Sequence, residues 1–135
     1  MKRFFADANI FLRFFTSDDH GQHEKAAALL KKAAAGQVSL VTGPPVFFEI
    51  AWTLRAGYRQ PKEKILEVLS AIAAMPGLSL VDGETVLEAI SLAQRSGAEY
   101  ADAYIAAAAR RHCGGGVATF NRRHFERLGI DLADM

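Results

Sequence analysis

Three acids and one amide sit at positions where this chain would do chemistry: Asp7, Glu49, Asp102 and Asn121. Asp7 follows directly on the apolar run Phe4-Phe5-Ala6, and Asn121 comes two residues after Thr119, which closes the short run Val117-Ala118-Thr119. In open α/β sheets, functional groups gather beyond the carboxyl ends of the strands. Glu49 and Asp102 fall in helical segments. Asp102 lies near the start of its helix, and Ile105, Ala106 and Ala109 carry the same face inward. A carboxylate on an apolar face needs a reason to be there. Three acids sharing one site would repel one another without a cation. Mg²⁺ is satisfied by a few carboxylates and keeps several waters. A water so held has a lowered pKa and can attack a phosphodiester in line, with no Lys or His nucleophile.

Taken singly, each of these residues has a plainer role. Asp7 or Asn9 can cap the helix that follows them. Asp102 can act as an early-turn acid favouring the helix dipole, Glu49 as a solvated helix residue, and Asn121 as a turn residue.

The elements that must position them read as strands separated by helical segments. Phe4-Phe5-Ala6 is expected to be a buried first strand, followed by a short helix from Ile10 to Phe15 and the turn cluster Thr16-Ser17-Asp18-Asp19. A helix is expected from Gln22 to Ala35, stopped by Gly36. Val38 to Val41 reads as a second strand, ended by Gly43-Pro44-Pro45. Phe47, Ile50, Ala51 and Leu54 fall at i, i+3, i+4, i+7, an amphipathic stripe, with Glu49 beside it. Pro61 starts another helix whose buried face is Ile65, Leu66, Leu69, Ile72 and Ala73. Leu78 to Val81 is a third strand. Asp82 is placed to cap a helix from Val86 to Ser96 that buries Leu87, Ala89, Ile90 and Ala93. A helix from Tyr100 to His112, the loop Gly114-Gly115-Gly116, a fourth strand Val117 to Thr119, a last helical turn His124 to Leu128 and an edge strand near Ile130 complete the order. This pattern predicts an α/β fold with a central parallel sheet of four to five strands flanked by helices. No internal repeat or long linker divides the chain, so residues 1–135 are expected to form a single domain.

Four segments carry a specific resemblance. They are Phe5-Ala6-Asp7-Ala8-Asn9-Ile10-Phe11-Leu12-Arg13, Phe48-Glu49-Ile50-Ala51-Trp52-Thr53-Leu54-Arg55, Tyr100-Ala101-Asp102-Ala103-Tyr104-Ile105-Ala106-Ala107-Ala108 and Ala118-Thr119-Phe120-Asn121. In order and spacing they resemble PIN domains, most closely the VapC-type ribonuclease toxins of bacterial and archaeal toxin–antitoxin pairs, over essentially the whole chain. The resemblance implies a Mg²⁺- or Mn²⁺-dependent endoribonuclease in which the family's first three acids map to Asp7, Glu49 and Asp102. Its fourth acid ordinarily ends a Thr-Phe-Asp word, and here the word is Thr119-Phe120-Asn121. That departure puts a second, tightly held metal in doubt, and Glu99, one turn before Asp102, is a candidate substitute. The resemblance also implies an RNA substrate, a cognate antitoxin and a homodimer, for which the apolar excess on the helices from Val46 and Pro61 would supply the interface.

Bulk properties limit the other classes. Sixteen basic and fifteen acidic residues leave a formal charge of +1, without the excess of a strongly basic nucleic-acid binder. Arg122 and Arg123 are nevertheless placed to meet RNA phosphate beside Asn121. The single cysteine, Cys113, excludes an intrachain disulfide and a cysteine zinc site. A reducing cytoplasm is the natural expectation. The N-terminus meets charge too early for a signal peptide, and no apolar run approaches the ~20 residues of a membrane span. The four histidines read as surface, and Trp52, Phe47 and Phe48 as core or interface aromatics.

Two other functions fit parts of the pattern. A catalytically weakened PIN-fold interaction module is favoured by Asn121 alone. An Asp-nucleophile phosphoryl-transfer domain would want a second acid where Asn9 stands, and a Lys after a later strand, which is missing beyond Thr119.

Overall fold

The computed structural model describes all residues from Met1 to Met135. The chain packs as two compact units, Met1–Gly83 and Glu84–Met135. Twelve elements run along it, with one or two helices between successive strands, as in an α/β chain.

The first unit holds β1 (Arg3–Phe5), α1 (Ala8–Phe15), α2 (His20–Ala34), β2 (Ser39–Thr42), α3 (Pro44–Ala56), α4 (Lys62–Ala73) and β3 (Leu78–Leu80). The three strands form a parallel sheet in the order β1-β2-β3. Phe5 is in register with Val41, and Thr42 with Leu80. Pairing of the chain continues past the end of β1, where the Ala6 amide donates to the Val41 carbonyl (2.8 Å) and the buried Thr42 hydroxyl donates to the Ala6 carbonyl (2.9 Å). Helices α1 and α3 therefore start from the same carboxyl end of the sheet.

The chemistry of the helix starts is local. Asp7 and Asp19 have extended backbone and accept from the amides of Asn9 and Gln22, satisfying donors that have no partner within the helix. At α3 the two prolines that end the preceding strand occupy the first helical positions, where a missing N–H costs nothing. Helix α1 packs on α2 and α3, and α3 on α4. Phe11, Leu40, Phe47, Ile50, Leu69 and Ile72 are wholly buried between these layers. Each contributes about 1.5–3 kcal/mol relative to exposure. Gly77 enters β3 at φ 81°, and a Cβ there would lie 2.1 Å from the Ala33 carbonyl oxygen at the end of α2, so no other residue fits.

The second unit holds α5 (Gly83–Ser96), which begins at the unit boundary, then α6 (Tyr100–Cys113), β4 (Gly116–Val117), α7 (Arg122–Glu126) and β5 (Asp131–Leu132). Strands β4 and β5 pair in parallel as a second, two-stranded sheet. Ala103, Ala106 and Ala107 make a fully buried stripe on α6. Alanine is the strongest helix former and keeps that face flat, and α6 packs on β4 and α7. Gly114 ends α6 in the left-handed region, its amide returning to the Ala109 carbonyl.

Five parallel strands thus occur, divided three and two between separate sheets. Several local expectations differ from the structure. Phe4 and Phe5 are 49% and 58% exposed, not buried, because β1 is the edge of its sheet and meets only β2 there. Asp82 does not cap α5. It stands at φ 52°, away from the extended backbone that a capping residue adopts, and α5 begins at the next residue. Leu87 and Ile105, expected inside, are exposed, as is Trp52 at 71%, which removes it from the core, while Phe47 beside it is fully buried. No helix is long and apolar enough to cross a membrane.

Candidate functional site

In the first unit, Asp7 lies between β1 and α1, at the capping position of α1. Its Oδ1 accepts the Asn9 amide at 2.9 Å, so the capping role open to it in the sequence is realised. Only one carboxylate oxygen is used, and Oδ2 of this exposed residue takes no bond. Asn9 contributes to this arrangement through its main chain. Glu49 is exposed on α3, between the buried Phe47 and Ile50. It lies five residues from the helix start, about 7.5 Å along the axis. Asp7 caps and Glu49 stands on helices that leave the same carboxyl end of the sheet and pack on each other.

In the second unit, Asp102 is in the first turn of α6 and half-buried. Helix α6 runs down to Cys113 and β4 returns, so that α7 begins beside the start of α6. The result is a contact between Asp102 Oδ2 and His124 Nδ1 at 3.2 Å. Asn121 is the residue before α7. Its amide donates to Thr119 Oγ1 (2.9 Å), and its carbonyl accepts the His124 amide (3.1 Å). The Asn121 side chain makes no capping bond. Thr119 thus folds the turn that carries Asn121, and that turn positions His124 against Asp102. Glu99 precedes α6 at its capping position but makes no side-chain capping bond.

His124 was not singled out by the sequence, which read all four histidines as surface groups. His23 also departs from that reading: it is half-buried, its Nδ1 lies 2.9 Å from the Arg13 carbonyl, and its ring is stacked on Phe14. The signal available for His124 was its place one helical turn after Asn121. Arg122 and Arg123 are both exposed. The Arg122 guanidinium donates to the Ala133 carbonyl at 3.0 Å, which holds its head without pairing it to an acid. Nearby, Arg111 is committed elsewhere, to Glu84 (2.9 Å) and Glu88 (3.1 Å).

Asp7, Glu49 and Asp102 each offer carboxylate oxygens of the kind that Mg²⁺ or Mn²⁺ prefers, and one oxygen of Asp7 is already oriented by the main chain. Within either unit taken by itself, no three Asp, Glu, His or Cys side chains gather as a complete metal cluster.

The family model of the PIN domain matches residues 4–131, a span that includes Asp7, Glu49, Asp102 and Asn121. No curated protein matches the chain.

Proposed function

The chain belongs to the PIN domain family, a family of nuclease-type domains, and from this premise we propose that it is a metal-dependent endoribonuclease, the toxin of a toxin–antitoxin pair. The observation that carries the proposal is the family match, which runs through all four site-bearing segments. Its length also supports one nuclease domain over residues 1–135.

Asp7, Glu49 and Asp102 are assigned as the acids that hold the cation, and Asn121 as the fourth, uncharged position. When bound, Mg²⁺ or Mn²⁺ supplies a water of lowered pKa and offsets charge on the phosphate. The remaining work belongs to the chain. The Asn9 amide orients Asp7, so that its outer oxygen needs no reorganisation to bind. His124 holds Asp102 Oδ2 in place. Arg122 and Arg123 attract the RNA backbone without reading its sequence. A cognate antitoxin would cover the acids with a basic segment. A homodimer through α3 and α4 is supported by the exposed Trp52 on α3.

The test is cleavage of a panel of structured RNAs by the purified chain. Cleavage should require Mg²⁺ or Mn²⁺, stop with EDTA, and be lost in Asp7→Asn with the fold intact. Equal cleavage by Asp7→Asn, with contaminating nucleases excluded, would reject the proposal.

Asn121 supports a second reading, a PIN-fold interaction module with weakened catalysis, since an amide brings no charge to the fourth position. In that case Asn121→Asp should raise activity at low Mn²⁺. An unchanged titration would dismiss the departure as immaterial.

A further inference from the structure

At the far end of α1 from Asp7 lies a cleft of about 470 Å³, lined by Phe14, Phe15, Asp18, His23, Tyr58 and Gln60 among others. All four rings are half-buried and so keep an exposed part. Phe14 and His23 lie nearly parallel, 8° apart, and Phe15 stands edge-on to Phe14. Asp18 lies at the rim. Its Oδ1 accepts from Arg13 (3.1 Å) and Thr16 (3.0 Å), and its Oδ2 from the Tyr58 hydroxyl (2.6 Å). These bonds hold its carboxyl below the usual range, the Tyr58 hydroxyl contributing most, so it is an ionised acceptor at neutral pH.

Two features define what would fit. A carboxylate offers about four acceptor positions, and three are used, leaving one on Oδ2. Arg13 already meets the charge of Asp18, so the cleft offers hydrogen bonding without net charge, which favours a neutral planar ligand over a cation. Flat, neutral and bearing an N–H donor at its edge describes a nucleobase, and aromatic side chains beside polar groups are the common platform for unpaired RNA bases.

We propose that this cleft is a nucleobase subsite that takes one unpaired, amino-bearing purine, stacked on the Phe14 and Tyr58 rings, with its amino group donating to Asp18 and its edge met by the Gln60 amide. A purine offers more stacking area than a pyrimidine, and uracil lacks the amino donor. Helix α1 is eight residues long, about 12 Å, which sets the subsite within reach of a short single strand whose phosphate lies at Asp7. The inference rests on RNA being the substrate.

The experiment is an NMR titration of the full chain in EDTA, following the ring signals of Phe14, His23 and Tyr58 with AMP, GMP, CMP, UMP and free arginine. AMP and GMP should shift these rings at the lowest concentrations and UMP at the highest. Asp18→Ala should reduce the purine-to-uridine preference, and Phe14→Leu should weaken every nucleotide by about tenfold, each variant being checked by its melting temperature. Absence of ring shifts with all four nucleotides, an unchanged preference in Asp18→Ala, or preferential binding of arginine would overturn the proposal. Because the titration involves no metal and no cleavage, an active nuclease that binds no base here rejects the subsite alone. A chain that binds purines but cleaves no RNA rejects the nuclease reading alone.

Discussion

Asp7 in the first unit and Asp102 in the second are held by different means. Asp7 is fixed by main chain: a strand end, a helix start and one amide bond to Oδ1. Asp102 is held by a side chain, His124, at 3.2 Å, and that histidine is itself 58% exposed. The first unit has three hydrogen-bonded strands and a core of large side chains, whereas the second rests on an alanine-faced helix and two strands of two residues each. An acid oriented by its own backbone keeps its geometry as long as the helix stands. An acid oriented by a partner depends on that partner's rotamer.

The largest effects should appear in catalysis, where the two units are expected to act alike. Asp7→Asn and Asp102→Asn should each lower RNA cleavage by orders of magnitude, and the double variant should be little worse than the slower single one. Residues that act as one device are strongly non-additive. Single-turnover rates of the four proteins check this, and multiplicative losses would separate the acids into independent roles.

Stability without metal should distinguish the units. Asp7→Ala removes a cap and is expected to cost roughly 0.5–2 kcal/mol. Asp102→Ala removes a contact between a half-buried carboxylate and an exposed histidine, worth about 0–1 kcal/mol. Denaturant melts in EDTA measure both, and equal losses would erase the comparison.

Two titrations give smaller, opposite signatures, one in each unit. Burial pushes the Tyr100 hydroxyl in the second unit well above its usual value of 10.0. The folded state therefore holds this proton more tightly than the unfolded one. Its contribution is complete below pH 10 and is lost as pH rises beyond it. Tyr100→Phe should flatten the alkaline decline of stability seen in the wild type. A decline of unchanged slope would show that Tyr100 does not cause it.

Asp18, in the first unit, is held below 3.8, chiefly by Tyr58 and then by Thr16. Its contribution is present above that value and fades as pH falls through the lowered one. Asp18→Asn should therefore be less stable than wild type at neutral pH and converge on it in acid. The gap should be small because the carboxylate is solvent-exposed. A gap that stays constant from neutral to acid pH would place the effect in packing, not in the charge.

Much of this arrangement was legible in the sequence because periodicity and punctuation are local. The Phe47-Ile50-Leu54 stripe and the Gly114-Gly115-Gly116 loop each act over a few residues and mark α3 and the end of α6, whereas the prolines at 44 and 45, expected only to end the strand, are the first residues of α3. What the sequence concealed depends on tertiary pairing. An apolar Phe4-Phe5 run has the same pattern in a central strand as at an edge, so its exposure could not be read from it. The division of the strands into two sheets is likewise set by pairing alone. Asp7, Glu49 and Asp102 each had a plainer role taken singly, and were legible as candidates together because the segments around them resemble PIN domains. His124 was not, since an exposed histidine in a short helix is ordinary until α7 is seen against α6. The bond from Tyr58 to Asp18 spans forty residues, and no spacing rule points to it.

The central proposal is that Asp7, Glu49 and Asp102 hold the catalytic cation, and Mn²⁺-dependent stabilisation tests it without any substrate. Wild type, Asp7→Asn and Asp102→Asn are melted in EDTA and in saturating Mn²⁺. At about 100 times the dissociation constant, a single site stabilises the folded chain by about 2.7 kcal/mol. The account predicts that wild type gains stability of this order and that both variants lose most of the gain, despite their different losses in EDTA. A variant in either unit that Mn²⁺ stabilises as much as wild type would contradict it.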